Sequence, residues 1–158
     1  FRVGAIKHVH DPSFNLDVEG KDTWRYSHAG ARVVACVGER QITVMRAADK
    51  EPSVDGILTY MSGDELDVVL LEGLKSESAQ RTDIFKIVTA KTMEDLKETM
   101  SRTVPPILAI TGVIAQERGG SNAFGVAVVD LQEEASGLVE LVKKRLSLHE
   151  PRPRSMKR

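Results

Sequence analysis

The chain is 158 residues long, the size of a single domain on the usual scale of ~100–200 residues. With 41% hydrophobic and 28% charged residues, it has the composition of a globular protein rather than a disordered one. A net charge of −1 supplies no field for sequence-independent binding to nucleic acid or an anionic membrane, and no apolar run approaches the ~20 residues of a membrane helix. The single Cys36 cannot form an internal disulfide, so a soluble, reducing, cytoplasmic setting is expected.

Phe1 opens the chain in place of methionine, and Arg2–Ile6 already reads as a strand. In nucleotide-binding α/β proteins the phosphate loop follows the first strand, so a segment ahead of Phe1 is expected. A helix is predicted from about Lys21 to Ala29, strands at Arg32–Val37 and Gln41–Arg46, and a helix from Ser53 to Met61. Val3–Ile6 and Leu66–Leu71 are mostly apolar with little alternation, the pattern of strands covered on both faces, and they point to a parallel sheet. A strand at Ile84–Thr89 precedes a helix capped by Thr92. There Asp95 reaches back, and Met93, Leu96 and Met100 share one face. That helix ends before Val104-Pro105-Pro106, and strands follow at Ile107–Thr111 and Gly125–Val129. The last helix starts from Asp130 as N-cap and places Leu131, Ala135, Leu138, Val139, Val142 and Leu146 at helical spacing. The expected whole is one α/β domain over residues 1–149, a mostly parallel sheet with flanking helices, and a basic, proline-containing tail at 150–158.

Ligands of open α/β sheets sit beyond the carboxyl ends of the strands, which directs attention to the residues just after each strand. Lys7-His8-Val9-His10 follows the first strand, and Glu72-Gly73-Leu74-Lys75 follows the apolar run. A carboxylate at a strand end holds Mg²⁺ beside a phosphate, and lysines neutralise phosphate charge; alternatively, Glu72 and Lys75 are solvated surface residues. His8 and His10 with Asp11 or Asp17 offer nitrogen and oxygen to a metal, or else form a polar loop. Cys36, inside an apolar strand, reads as a small buried hydrophobe. Gly20-Lys21 with Thr23 lacks the spacing of a P-loop, because Asn15 stands at the first glycine position and Asp22 follows the lysine. A turn at Gly20 and a helix beginning near Asp22 is the local alternative.

Ala5-Ile6-Lys7-His8-Val9-His10, Asp17 with Gly20-Lys21-Asp22-Thr23, Tyr26, Ala29-Gly30-Ala31 and Asp67–Lys75, in this order and spacing, resemble molybdopterin-guanine dinucleotide biosynthesis protein B. The similarity covers most of the chain and fades after about residue 90. It implies a P-loop NTPase-like α/β fold, incomplete at its amino end, whose first strand, P-loop and first helix would precede Phe1. It further implies a cytoplasmic, dimeric accessory protein of molybdenum cofactor guanylation that binds GTP with Mg²⁺, assists the guanylyltransferase and is at most a slow GTPase. Lys7, His8, Asp17, Gly20, Lys21, Asp22, Gly73 and Lys75 would line the nucleotide or cofactor crevice, with Glu72 in the Walker-B-like place near Mg²⁺. Thr111-Gly112-Val113 stands where related chains offer an aspartate for guanine. The alternative readings are a non-enzymatic adaptor binding the guanylyltransferase or molybdopterin and, third, a metal-dependent hydrolase using His8, His10 and Glu72.

Overall fold

The structure, a computed structural model, describes residues 1–147 apart from 12 and 119; the tail at 150–158 lies outside the described residues. Along the chain, β1 (Val3–Lys7) leads to α1 (Asp22–His28), β2 (Val33–Val37), β3 (Ile42–Arg46), α2 (Val54–Met61), β4 (Val68–Glu72) and the single turn α3 (Lys75–Ser78). There follow β5 (Lys86–Thr89), α4 (Met93–Ser101), β6 (Ile107–Thr111), α5 (Val113–Arg118), the short β7 (Asn122–Ala123) and β8 (Val126–Ala127), and α6 (Leu131–Ser147). The α/β class expected from the pattern is the class observed. Among the described residues, no helix is long and apolar enough to cross a membrane.

β1 pairs with β4 in parallel, Val3 opposite Val68 through Lys7 opposite Glu72, and β5 pairs in parallel with β6. β2 and β3 form a separate antiparallel ribbon with Val33 opposite Arg46 and Val37 opposite Ile42, while β7 and β8 close a small hairpin. The last strand is shorter than the predicted Gly125–Val129, and Val128 joins Ile110 through a single parallel bridge. Sequence pattern missed α3 and α5, which are too short to show a period of 3.6 residues.

Local chemistry accounts for the helix starts. Thr92 accepts from Asp95 N–H at 3.2 Å, and Asp95 reaches back to the N–H of Lys91 at 2.8 Å. Ser53 accepts from Gly56 at the start of α2, and Asp130 accepts from Gln132 at the start of α6. Along α6, Leu138, Val142 and Leu146 are half-buried, whereas Leu131, Ala135 and Val139 are exposed; the backbone leaves helical geometry at Glu134.

The main core is built from β5, β6, α4, α5 and Val128. Val88, Ala90, Leu96, Ile110, Ile114 and Ala115 are buried there, and Met93 and Met100 pack against them from the predicted face of α4. A second, smaller packing lies between α2 and the β1–β4 pair. Gly4 permits it, because a Cβ at that position would stand 2.6 Å from both Leu66 Cδ1 and Met61 Cε. Burial of β1 and β4 on both faces, expected from their apolar runs, is not what the structure shows. Val3 is 55% and Leu70 54% exposed, since α2 covers one face and no described element covers the other. Arg81 ties the two regions, reaching Asp55 of α2 at 2.7 Å, Glu77 of α3 at 3.7 Å and Asp83 at 2.5 Å.

Candidate functional site

Parallel pairing in register brings the ends of β1 and β4 side by side, and with them the two residues that the sequence had set 65 positions apart. Lys7 Nζ donates to Glu72 Oε1 at 2.5 Å, with the side chains 64% and 73% exposed. The pair stands open to solvent, with acid and amine both available to a ligand. His8 continues the ladder, its N–H donating to the Glu72 carbonyl at 2.8 Å.

The His8 ring is the most enclosed of these groups. Its Nε2 lies 3.0 Å from Glu51 Oε1, its Nδ1 is buried without a hydrogen-bond partner, and its ring meets that of His10 edge to face at 4.2 Å. Glu51 was not legible in the sequence. It sits in the irregular Asp49–Pro52 stretch, and only tertiary structure carries it to the end of β1. Asp11 is occupied by Ser13, whose hydroxyl and N–H both donate to it and hold its carboxyl below the ordinary value. Among the described residues, no group of three or more His, Cys, Asp or Glu side chains is placed to hold a metal ion, so of the two alternatives for His8 and His10 the placement does not support a metal site with Asp11 or Asp17.

After Glu72 the backbone turns sharply. Gly73 has φ +97° and Leu74 φ 48°, both left-handed, and this double turn starts α3 at Lys75 beside β5. Lys75 lines a groove of about 620 Å³ between α3, β5 and α4 rather than facing the Lys7–Glu72 pair alone.

The second predicted cluster forms its own turn. Gly20 has φ +82°, Lys21 N–H donates to the Val18 carbonyl at 3.2 Å, and α1 begins at Asp22, as the turn-and-helix alternative expects. Asp17 Oδ1 accepts from Thr23 Oγ1 at 2.8 Å, while its Oδ2 is buried without a partner. Among the described residues, no hydrogen bond or ion pair joins Asp17, Gly20, Lys21 or Asp22 to the ends of β1 and β4. Lys7, His8, Glu72 and Gly73 are joined by the strand pairing, the Lys7–Glu72 ion pair and the close approach of Gly73 to His8, while Asp17 and Thr23 are joined to each other.

Cys36 is exposed, contrary to its reading as a buried hydrophobe. The reason is architectural: β2 and β3 pair only with each other, and the ribbon leaves most of its side chains open, with Val37 and Ile42 about 70% exposed.

A family model described as "Molybdopterin guanine dinucleotide synthesis protein B" matches residues 1–109, further along the chain than the fading at about residue 90 expected from the motifs. The chain is 30% identical over 97 residues to the molybdopterin-guanine dinucleotide biosynthesis adapter protein of Haemophilus influenzae, covering 61% of this chain and 54% of that protein. It is 29% identical over 87 residues to the adapter protein of the same name from Escherichia coli, covering 54% of this chain and 49% of that protein. The chain thus spans about half the length of these curated relatives. In fold it is similar to the crystal structure of Bacillus subtilis MobB, with a TM-score of 0.67 and 21% identity over 90% of this chain and 79% of that one. It is likewise similar to a MobB protein homolog from Bacillus stearothermophilus, with a TM-score of 0.62 and 18% identity over 93% and 79% of the two chains.

Proposed function

Since this chain belongs to the molybdopterin guanine dinucleotide synthesis protein B family, we propose that it is an accessory protein of molybdenum cofactor guanylation that binds GTP with Mg²⁺ and assists the guanylyltransferase. The observation that carries the reading is the Lys7–Glu72 pair at the adjoining carboxyl ends of two parallel strands. One open carboxylate suits Mg²⁺, which keeps most of its water shell and takes one or two protein carboxylates beside phosphate. When bound, the ion neutralises phosphate oxygens. Glu72 would hold it, directly or through water, and Lys7 would turn from Glu72 to the phosphate as a point charge. His8, steadied by Glu51, fixes the backbone from which Lys7 projects. Asp17, Gly20 and Lys21 belong to a turn, with Asp22 opening α1, in which carboxylates outnumber the amine, so this reading assigns them no phosphate contact and no hydrolysis.

Equilibrium binding of GTP to the folded chain, with ATP as competitor and Mg²⁺ present or chelated, tests the reading. Mg²⁺-dependent GTP binding supports it. Absence of binding by a folded sample moves the function to the adaptor class, in which this chain binds the guanylyltransferase or molybdopterin without nucleotide; molybdopterin in the same assay separates those two ligands. The acidic setting of Gly20-Lys21 is the observation that favours the second reading.

We also propose that the protein acts as a homodimer through the β2–β3 ribbon. An isolated two-stranded ribbon is marginal in water. Val33, Val37, Ile42 and Val44 share one of its faces and are 45–72% exposed. A contiguous aliphatic patch of this kind marks a protein contact. Sedimentation of the chain and of Val44→Asp checks this: a dimer that the substitution turns to monomer supports it, and a wild-type monomer overturns it.

A further inference from the structure

Three large apolar side chains stand in water within five residues of one another: Phe14, Leu16 and Val18 are 51–79% exposed. Single exposed apolar residues are ordinary on a protein surface, but a group of them marks a contact site. Five residues span at most ~14 Å, so the three fall within the footprint of one contact. The sequence from Phe14 to Glu19 alternates apolar and polar residues, the pattern of a half-buried strand, yet no strand forms there. Its polar residues bond the backbone instead. Asp11 accepts from the N–H and the hydroxyl of Ser13, and Asn15 Oδ1 accepts from the N–H of Asp17 at 2.9 Å. Asp17 Oδ1 accepts from the N–H of Val18 at 2.9 Å and from the hydroxyl of Thr23 at 2.8 Å. Backbone turns close both ends, from Phe14 N–H to the Asp11 carbonyl and from Lys21 N–H to the Val18 carbonyl. A loop held in this way has already lost the freedom that a partner would otherwise have to freeze.

The charge around these side chains has one sign. Between residues 11 and 22 there are four carboxylates, Asp11, Asp17, Glu19 and Asp22, and one amine, Lys21. Among the described residues, no cation pairs with Asp11, Asp17 or Glu19, and Asp22 meets only Arg25, at 4.0 Å. An apolar centre with an acidic rim fits a protein surface with a basic rim. Anionic lipid would repel it, and a two-fold contact with a second copy would set the same carboxylates against each other. The loop follows His8 and His10 at the end of β1, where Lys7 meets Glu72, so a protein docked on it stands at the mouth of the strand ends.

We propose that residues 13–19 are a preformed docking loop for the guanylyltransferase, in which Phe14, Leu16 and Val18 enter an apolar pocket rimmed by lysine and arginine. The inference rests on the reading that this chain assists that enzyme, and it does not depend on GTP binding.

The test is calorimetric titration of the full chain with the guanylyltransferase of the same organism. Three forms are compared: the wild type, the triple variant Phe14→Ser, Leu16→Ser, Val18→Ser, and Glu19→Lys. The substituted side chains are exposed, so both variants should melt as the wild type does. The triple variant is expected to bind at least about 30-fold more weakly, as loss of an interface centre does. Glu19→Lys is expected to weaken binding about three-fold and to make it less sensitive to salt, as loss of a rim charge does. Wild-type affinity in the triple variant overturns the docking loop and leaves the guanylyltransferase as a partner, whereas no binding by the wild type overturns both. Two further results overturn the proposal: a dimer that the triple variant loses in sedimentation, which would mean that a second copy covers the loop, and binding to phosphatidylcholine vesicles that the triple variant loses, which would mean a membrane.

Discussion

A Cβ built on Gly73 would stand 2.5 Å from the Cβ of His8, so the turn after β4 and the end of β1 are in contact through the space where a side chain would be. Gly73 also has φ +97°, a conformation that side chains disfavour. Gly73→Ala therefore combines a steric overlap with backbone strain, at a cost of about 1–3 kcal/mol. Chemical denaturation measures it. The same variant should disturb the contact between His8 and Glu51, visible as a change in the His8 ring resonances.

Glu72→Gln tests the proposed ion site while sparing the fold. Its partner Lys7 is a surface lysine, and exposed pairs contribute little to stability, so the melting curve should move by no more than ~0.5 kcal/mol. GTP binding in Mg²⁺ should fall about ten-fold to the level seen with the ion chelated, as loss of one metal contact predicts. A variant that keeps its full Mg²⁺ dependence removes Glu72 from the site.

Lys86 is buried, and its ammonium caps the carbonyls of Arg81 and Val104. Burial lowers its pKa, although Asp83 pulls the other way. Lys86→Met keeps the apolar stem and leaves both carbonyls without that donor, a loss of about 1–3 kcal/mol. Urea unfolding of the variant reads it directly. No loss would mean that water replaces the amine.

Asp83 receives two hydrogen bonds from Arg81, at 2.9 and 2.5 Å, and these hold its pKa down to about 2. The folded value lies below the ordinary 3.8, so the unfolded chain binds more protons in that window. The stabilisation from ionised Asp83 is thus present above 3.8 and lost as pH falls through about 2. Comparing urea midpoints of the wild type and Asp83→Asn across this range should show their difference shrinking on acidification. A difference that does not change with pH would exclude ionisation as its source.

Local rules made much of the fold legible. Thr92 and Asp130 announced their helices because N-caps act within a few residues. Lys7 and Glu72 were legible because parallel strands align their carboxyl ends and leave charged residues there. The exposure of Leu70 and Cys36 was not. An apolar run records that a face is suited to cover, and only the arrangement of other elements decides whether cover is present. Glu51 was equally hidden, since a loop carboxylate that meets a histidine across 43 positions leaves no periodic mark.

The main cluster of buried side chains lies wholly beyond residue 87, while Lys7, His8, Glu72 and Gly73 belong to the thinner packing of β1, β4 and α2. Rigidity and candidate chemistry are therefore assigned to different parts of the chain, with Arg81 as the main charged tie between them. Unfolding should proceed in two cooperative units, the β1–β4 unit first. A ligand at the strand ends raises only the earlier transition, because linkage acts on the unit that holds the ligand. In a calorimetric trace, the site then declares its location by which of two peaks moves.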